Sequence, residues 1–464
     1  MNLLKNVYDA SPRFMRTVYA NAYGVNNLMR HRRWDRLLQE LAYTEHLDRD
    51  GQIALVDREL KNLLRHAIEN VPFYERYAML KAEFGRRSAY DLLRELPIVD
   101  KDVINKDPGA FLARGRGKSV VSRTSGTTGT PFSIHMDKAS FVLTDALWWR
   151  RTQWNGYEPG DWIARLVGDP IIPLSEKNPR QPWLISHTDR RIYLSTFHLN
   201  PDTAWRIGEL LRRRRPAYVM GYPSSLEILC GFLKDTDFKM DWNLKHVLYS
   251  SEPMLAHREK VISDVLRAPV RGLYGSGERV ISAGQCSAGN YHLSLVDGFL
   301  EGQFGIMEQV EPAAVTTLSN YAMPLIRYQI GDVIEAQPSS ACPCGRTLPV
   351  ISPVITKHED WIVTPSGRKI APSAVVWAFI HQDIQDIHNG QVVQEDERLV
   401  RVYLNTDQAT FERYREILQE SMRRVFFDEL EVEVVRRNQI EVTGAGKSRF
   451  IYSKLRDGDR TASP

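Results

Sequence analysis

The sequence is short of cysteine, of continuous apolar runs and of charge imbalance, and each shortage removes a class of protein. Four cysteines in 464 residues are too few for a disulfide framework. Three of them have partners at metal-ligand spacing, so the expected setting is a reducing cytoplasm. No run approaches the roughly 20 apolar residues that a membrane span needs, so no transmembrane segment is expected. The N-terminus likewise has no continuous apolar signal-peptide core. Lys5, Arg13 and Arg16 faintly suggest a transit peptide, but the segment reads as an ordinary first helix, and Arg30-His31-Arg32-Arg33 as a solvated helix face. A net charge of +4 is too weak to argue for nucleic acid. Internal repeats are absent too. With 43% hydrophobic and 25% charged residues the chain is globular, with length for about three domains at most.

What is present is led by Thr124-Ser125-Gly126-Thr127-Thr128-Gly129-Thr130-Pro131. Glycines let a backbone approach a ligand closely, and hydroxyls add donors for phosphate oxygens. The alternative, a flexible Ser/Thr/Gly linker, sits poorly with the aromatic run from Phe141 to Trp149 that follows.

Periodicity divides the chain. Residues 1–85 read as helices, with Leu60, Leu63, Leu64, Ala67, Ile68 and Val71 on one apolar stripe closed by Pro72. The middle alternates: a helix to Arg215, a strand to Gly221, a helix, a strand from His246 to Tyr249, a helix through Val261 and Val265, and a strand from Val270. Strand–helix alternation predicts an α/β fold with a parallel sheet, whose ligands bind beyond the carboxyl ends of the strands. The run Arg212-Arg213-Arg214-Arg215 ends a helix, where cations suit the dipole. From about residue 360 the pattern becomes α+β. It holds a hairpin turning at Pro365-Ser366-Gly367, alternating strands at Val400, Val402, Leu404 and at Leu430, Val432, Val434, and a helix through Tyr414, Ile417, Leu418, Met422 and Val425.

Several motifs recur in one order. After the hydroxyl-rich loop come Tyr274-Gly275-Ser276-Gly277-Glu278, then Arg327-Tyr328-Gln329-Ile330-Gly331-Asp332, then Gly446-Lys447. Together they resemble the signature of the adenylate-forming superfamily of acyl-CoA synthetases, luciferases and peptide-synthetase adenylation domains. Gly221-Tyr222-Pro223-Ser224, Ser251-Glu252-Pro253, Cys342-Pro343-Cys344-Gly345-Arg346 and Asn70-Val71-Pro72-Phe73-Tyr74 resemble the phenylacetate-CoA ligase branch, which includes CapK-like proteins.

The resemblance implies a large N-terminal α/β adenylation domain (residues 1–85 helical, 86–359 the ATP-binding core) and a mobile C-terminal domain at 360–464. It implies that Thr124, Ser125, Gly126, Thr127, Thr128, Gly129 and Thr130 hold ATP phosphates, with Thr128 among the catalytic groups. Glu278 would hold Mg²⁺, Asp332 the ribose hydroxyls, and Tyr274, with Gly275 and Ser276, the adenine, beside the turn Ser251, Glu252, Pro253. Lys447 would bridge substrate carboxylate and phosphate. The expected substrates are ATP and a carboxylic acid, and the acceptor is CoA or a carrier-protein thiol. Two departures stand out. Phe132 follows Pro131 where the family often has lysine, and the hinge reads Thr356-Lys357-His358-Glu359-Asp360. Lys357 there replaces an arginine, with Asp360 as the hinge candidate. Gly444-Ala445-Gly446-Lys447-Ser448 only mimics a Walker loop, since Glu441 stands where a glycine is required.

Cys286, His292, Cys342 and Cys344 have the residue types for a closed tetrahedral site, and soft thiolates favour Zn²⁺. Buried thiols with an ordinary histidine are the alternative. Cys230, on an apolar helix, reads as core. Trp148, Trp149, Phe141 and Tyr222 are candidates for an acyl or aryl pocket or, at helical spacing, for core. Three other functions stay open: acyl transfer to a carrier thiol or an amine, transfer of AMP itself as in deazaflavin adenylylating enzymes, and a nucleotide-binding regulator. Oligomeric state is not legible, and a dimer is compatible with the chain.

Overall fold

In the computed structural model the described residues are 7–32, 34–115, 117–124, 132–168, 170–308, 313–332, 334–337, 341–352, 361–370, 374–376, 378, 389–437 and 450–456. A nine-stranded sheet organises the larger part. Its spatial order is Val350–Ile351, Tyr291–Leu293, Ser282–Gln285, Val270–Gly275, His246–Ser250, Tyr218–Gly221, Ile163–Val167, Arg191–Ser195, Trp183–Ser186. The five strands from Val270–Gly275 to Arg191–Ser195 are mutually parallel; the flanking four are antiparallel.

Local chemistry sets the crossovers. Helix Pro201–Arg214 begins with a capping box between Asn200 and Thr203, has proline at its first position, and ends with Arg215 in the left-handed region. Arg212 and Arg213 pair with Glu209, and Arg215 with Asp241, so the four-arginine run is a helix end. Helices Pro223–Lys234 and Ala256–Leu266 make the next two crossovers. Cys230 is buried among Leu226, Leu229 and Leu233, and burial pushes its thiol up. The opposite face of the sheet is covered by helix Lys138–Trp154, with Leu147 and Trp149 inside. Trp149 is therefore core, stacked beneath Arg191 and beside Tyr157.

The expected helices are present. Helix Ala256–Leu266 buries Ile262 and Leu266 and packs half-buried Val261 and Val265 against the same core. Helix Gln408–Val425 buries Tyr414, Leu418, Met422 and Val425 and leaves Ile417 43% exposed.

The C-terminal residues form a four-stranded sheet, ordered Glu431–Arg436, Leu399–Asn405, Asn389–Gln394, Ile451–Ser453, with helix Gln408–Val425 packed on it. The expected hairpin is present: Ile362–Val363 pairs with Lys369–Ile370. Contacts reach across to the larger part. Phe197 joins the C-terminal core, Arg368 bonds Glu429 and Asn178, and Phe427 meets the ring of His198 edge-on at 5.3 Å.

His198 is fully buried, bonded through Nδ1 to Ser195 Oγ at 2.7 Å. Burial, and the nearby Arg368 charge, lower its pKa to about 4. The ring is neutral in the fold and must charge when released. Its contribution is present above pH 6.5 and is lost as pH falls through 4, up to about 3 kcal/mol. Stability measured by urea unfolding is expected to fall over that window, and His198→Gln is expected to flatten the slope there; an unchanged slope would contradict the assignment.

Candidate functional site

Small and polar residues gather where the parallel strands end. Strand Val270–Gly275 delivers the turn 276–279, and strand Tyr328–Gln329 of a three-stranded sheet delivers Gly331 and Asp332. Two side-chain bonds join these segments: Tyr274 Oη donates to Asp332 Oδ2 at 2.9 Å, and Tyr328 Oη donates to Glu278 Oε1 at 3.1 Å. Burial first, then the facing carboxylates, push both phenols up, so they remain protonated donors. Arg327 does not face the cleft. Its guanidinium forks onto Glu301 at 2.7 and 2.9 Å and bonds Leu96 O at 2.9 Å, pinning the start of the motif from behind.

Around this pair the fit to expectation varies. Ser276 Oγ is buried and without a hydrogen bond among the described residues. Glu252 has a task that its motif did not suggest. Its carboxylate accepts the Ser224 backbone N–H and hydroxyl, each at 2.9 Å, and so caps helix Pro223–Lys234. Two motifs of the sequence, Ser224 and Glu252, are thus one structural contact. Ser251 beside it is exposed in the left-handed region, at φ 72°. Strands Val120–Thr124 and Phe132–Met136 pair antiparallel with Thr124 opposite Phe132. The pair is anchored by Asn320, which donates to His135 O at 3.0 Å, and by Asp137, which accepts from Tyr321 N at 2.8 Å. Ser125, Gly126, Thr127, Thr128, Gly129, Thr130 and Pro131, the Thr124 side chain, Lys357, Asp360 and Lys447 lie outside the described residues.

Sequence reading overlooked Arg279. Its guanidinium covers the Phe141 ring at 4.9 Å, and its Nη1 is buried with no hydrogen bond among the described residues. Asp145, one turn along the same helix, pairs with Arg30 at 3.2 Å and attracts Arg279 only at longer range. A cation beside Glu278 with no bonded partner was invisible in sequence, because nothing in the motif marks where its side chain turns.

Behind the turn, Cys286, His292, Cys342 and Cys344 bring all four ligand atoms within 4.8 Å of one another. Cys286 and Cys342 sulfurs are 3.7 Å apart, and Cys344 Sγ is 3.4 Å from His292 Nε2. A tetrahedron with Zn–S of 2.3 Å and Zn–N of 2.0–2.1 Å has S···S of about 3.8 Å and S···N of about 3.6 Å. His292 Nδ1 lies 3.1 Å from Leu348 O, which leaves Nε2 for the cluster. Burial opposes ionisation of Cys342, but bonds from Asn290 and the Cys344 backbone outweigh it and bring the thiol to about 6.

The comparisons fit this arrangement. 2-Hydroxyisobutyryl-CoA ligase, solved in complex with 2-HIB-AMP and CoA, superposes with a TM-score of 0.54 over 88% of this chain and 93% of that one, at 18% identity. Protein CapK of Staphylococcus aureus is 18% identical over 98% of this chain and 100% of its own. Phenylacetate-coenzyme A ligase of Thermus thermophilus is 25% identical over 71% of this chain and 76% of its own. The chain is similar in sequence to these two proteins and shares the fold of 2-hydroxyisobutyryl-CoA ligase. No family model matches it.

Proposed function

We propose that the protein activates a carboxylic acid with ATP and passes the acyl group to a thiol, CoA in the first instance. The observation that carries this reading is the crossed pair Tyr274–Asp332 and Tyr328–Glu278 at the carboxyl end of the parallel sheet. The ligase relatives and the fold of 2-hydroxyisobutyryl-CoA ligase support it.

In the first step an oxygen of the acid attacks the α-phosphorus of ATP and pyrophosphate leaves. In the second, the thiol attacks the acyl carbon and AMP leaves. Both partners of the first step are anions, so the site must supply donors and cations around the transferring group. We assign β- and γ-phosphate binding to Thr124 to Thr130, ribose binding to Asp332, and adenine binding to Tyr274 with Gly275, Ser276 and the backbone of Ser251, Glu252 and Pro253. Asp332 already accepts one hydrogen bond from a buried phenol, which fixes its direction for the ribose. Glu278 keeps Oε2 free of hydrogen bonds among the described residues, which suits a Mg²⁺ ligand shared with phosphate oxygens; the ion supplies charge neutralisation when bound. Arg279, half-buried against Phe141, offers a guanidinium next to Glu278. Residues 360–464 are the lobe that turns between the two steps, with Asp360 and Lys357 at the hinge and Lys447 present for the first step only.

The cysteine–histidine cluster is assigned to Zn²⁺. Four protein ligands leave no open position, so the ion's role is structural. It ties the strands after Glu278 to the turn at Cys342-Pro343-Cys344, with folding free energy on the order of 10 kcal/mol available from such sites.

Lys447→Ala is expected to abolish acid-dependent ATP–pyrophosphate exchange while thioester formation from pre-formed acyl-AMP survives; equal loss of both reactions would overturn the role of Lys447. Elemental analysis is expected to find about one zinc per chain, absent from Cys342→Ser/Cys344→Ser, which should also unfold at lower temperature. Metal-free wild type of undiminished stability would remove the zinc assignment.

A further inference from the structure

Helix Arg13–Arg32 carries its polar residues inward and its apolar residues outward. Arg16, Gly24 and Asn27 are buried. Phe14, Val18, Val25 and Met29 are 68%, 60%, 44% and 52% exposed, and fall within about 60° of one another around the helix. The reason lies in what the helix covers. Its neighbour is Trp183–Ser186, the edge strand of the large sheet, which presents unpaired backbone groups instead of an apolar face. Arg13 donates to Gln181 O and Trp183 O at 2.7 and 2.8 Å, and Asn21 to Ile185 O at 3.3 Å. Asn21 also accepts the His187 N–H at 2.9 Å, and Asn27 donates to Asp189 at 3.0 Å. The approach is close: a Cβ on Gly24 would stand 2.1 Å from Thr188 Oγ1. With the polar side spent on the sheet edge, the apolar stripe has nothing beneath it among the described residues.

The charge of the region names the occupant. Residues 10–34 contain no acid, and the first 36 residues hold seven lysines and arginines against two aspartates, a net of +5, while the whole chain is +4. Arg16 and Arg30 pair with Glu176 and Asp145, but Arg13 is bound to neutral carbonyls, which leave its charge in place. A second copy of the chain would have to cover the stripe with an equally basic, acid-free segment, which offers no complementary charge. An apolar stripe on an acid-free segment of net positive charge matches an anionic lipid surface, where the stripe enters the acyl boundary and the segment's charge is attracted to the headgroups.

We propose that helix Arg13–Arg32 is a membrane-surface anchor that seats this protein on anionic bilayers. No helix among the described residues is long and apolar enough to cross a membrane, so the association is peripheral. It is independent of the reaction proposed above.

The test is co-sedimentation of the full-length protein with vesicles of phosphatidylglycerol and phosphatidylcholine in equal parts, against vesicles of phosphatidylcholine alone. The wild type is expected to bind the anionic vesicles at least tenfold more tightly, with binding weakened by added salt. Val18→Glu/Val25→Glu is expected to lose at least tenfold while keeping the wild-type thermal midpoint, since both side chains face solvent. Phe14→Ser gives the same reading at one exposed position should the double variant unfold early. Failure of the wild type to sediment with anionic vesicles, or equal binding by the variants, overturns the proposal. So does a stable dimer that Val18→Glu/Val25→Glu dissociates, which would give the stripe to a second copy.

Discussion

Two phenols hold two carboxylates in a crossed pair, and the geometry of the site depends on it. Tyr274 bonds Asp332 and Tyr328 bonds Glu278, so the turn after the fifth parallel strand and the segment leaving the small sheet run past each other in opposite directions. Each carboxylate is fixed by a neutral donor. A cation in that position would cancel its charge; a buried phenol aims it and leaves the charge available to a sugar hydroxyl or a metal ion.

The surrounding structure reinforces that clamp. Arg327 forks onto buried Glu301 behind the motif, and the cysteine–histidine cluster joins 286–292 to 342–344 beyond it. Glu252 spends its carboxylate on Ser224, fixing the turn of one parallel strand to the helix start of the next. Several residues that look like ligand-binding groups are therefore supports, and around the crossed pair Ser276, Arg279 and one oxygen of Glu278 keep unmet bonding capacity among the described residues.

Much of the fold was legible because periodicity is a local property. The apolar stripe from Leu60 to Ile68, the strand–helix alternation from Pro201 to Gly275 and the arginine-rich helix end were all readable from spacing. The nine-strand order was not, since the antiparallel strands at Ser282, Tyr291 and Val350 are short, and the last joins the sheet from far along the chain, Ile351 opposite Tyr291. Ile417 lies in the helix read for it but is exposed, because the edge of a stripe depends on what it packs against. In the site, the four metal-ligand candidates were recognisable by type, and their meeting in space is a tertiary fact. Arg279 escaped because no motif records a side chain's direction. The outward face of helix Arg13–Arg32 escaped because a helix that docks on a sheet edge inverts the usual rule that apolar residues point inward.

The central claim is that the acid becomes a mixed anhydride with AMP before any thiol attacks it. Isotope transfer tests this most directly: supply an acid labelled with ¹⁸O in its carboxylate, together with ATP, Mg²⁺ and CoA, and weigh the AMP released. The account predicts one labelled oxygen in AMP, carried over as the bridging atom of the anhydride. Thioester formed with unlabelled AMP, or label recovered in orthophosphate instead, would contradict it.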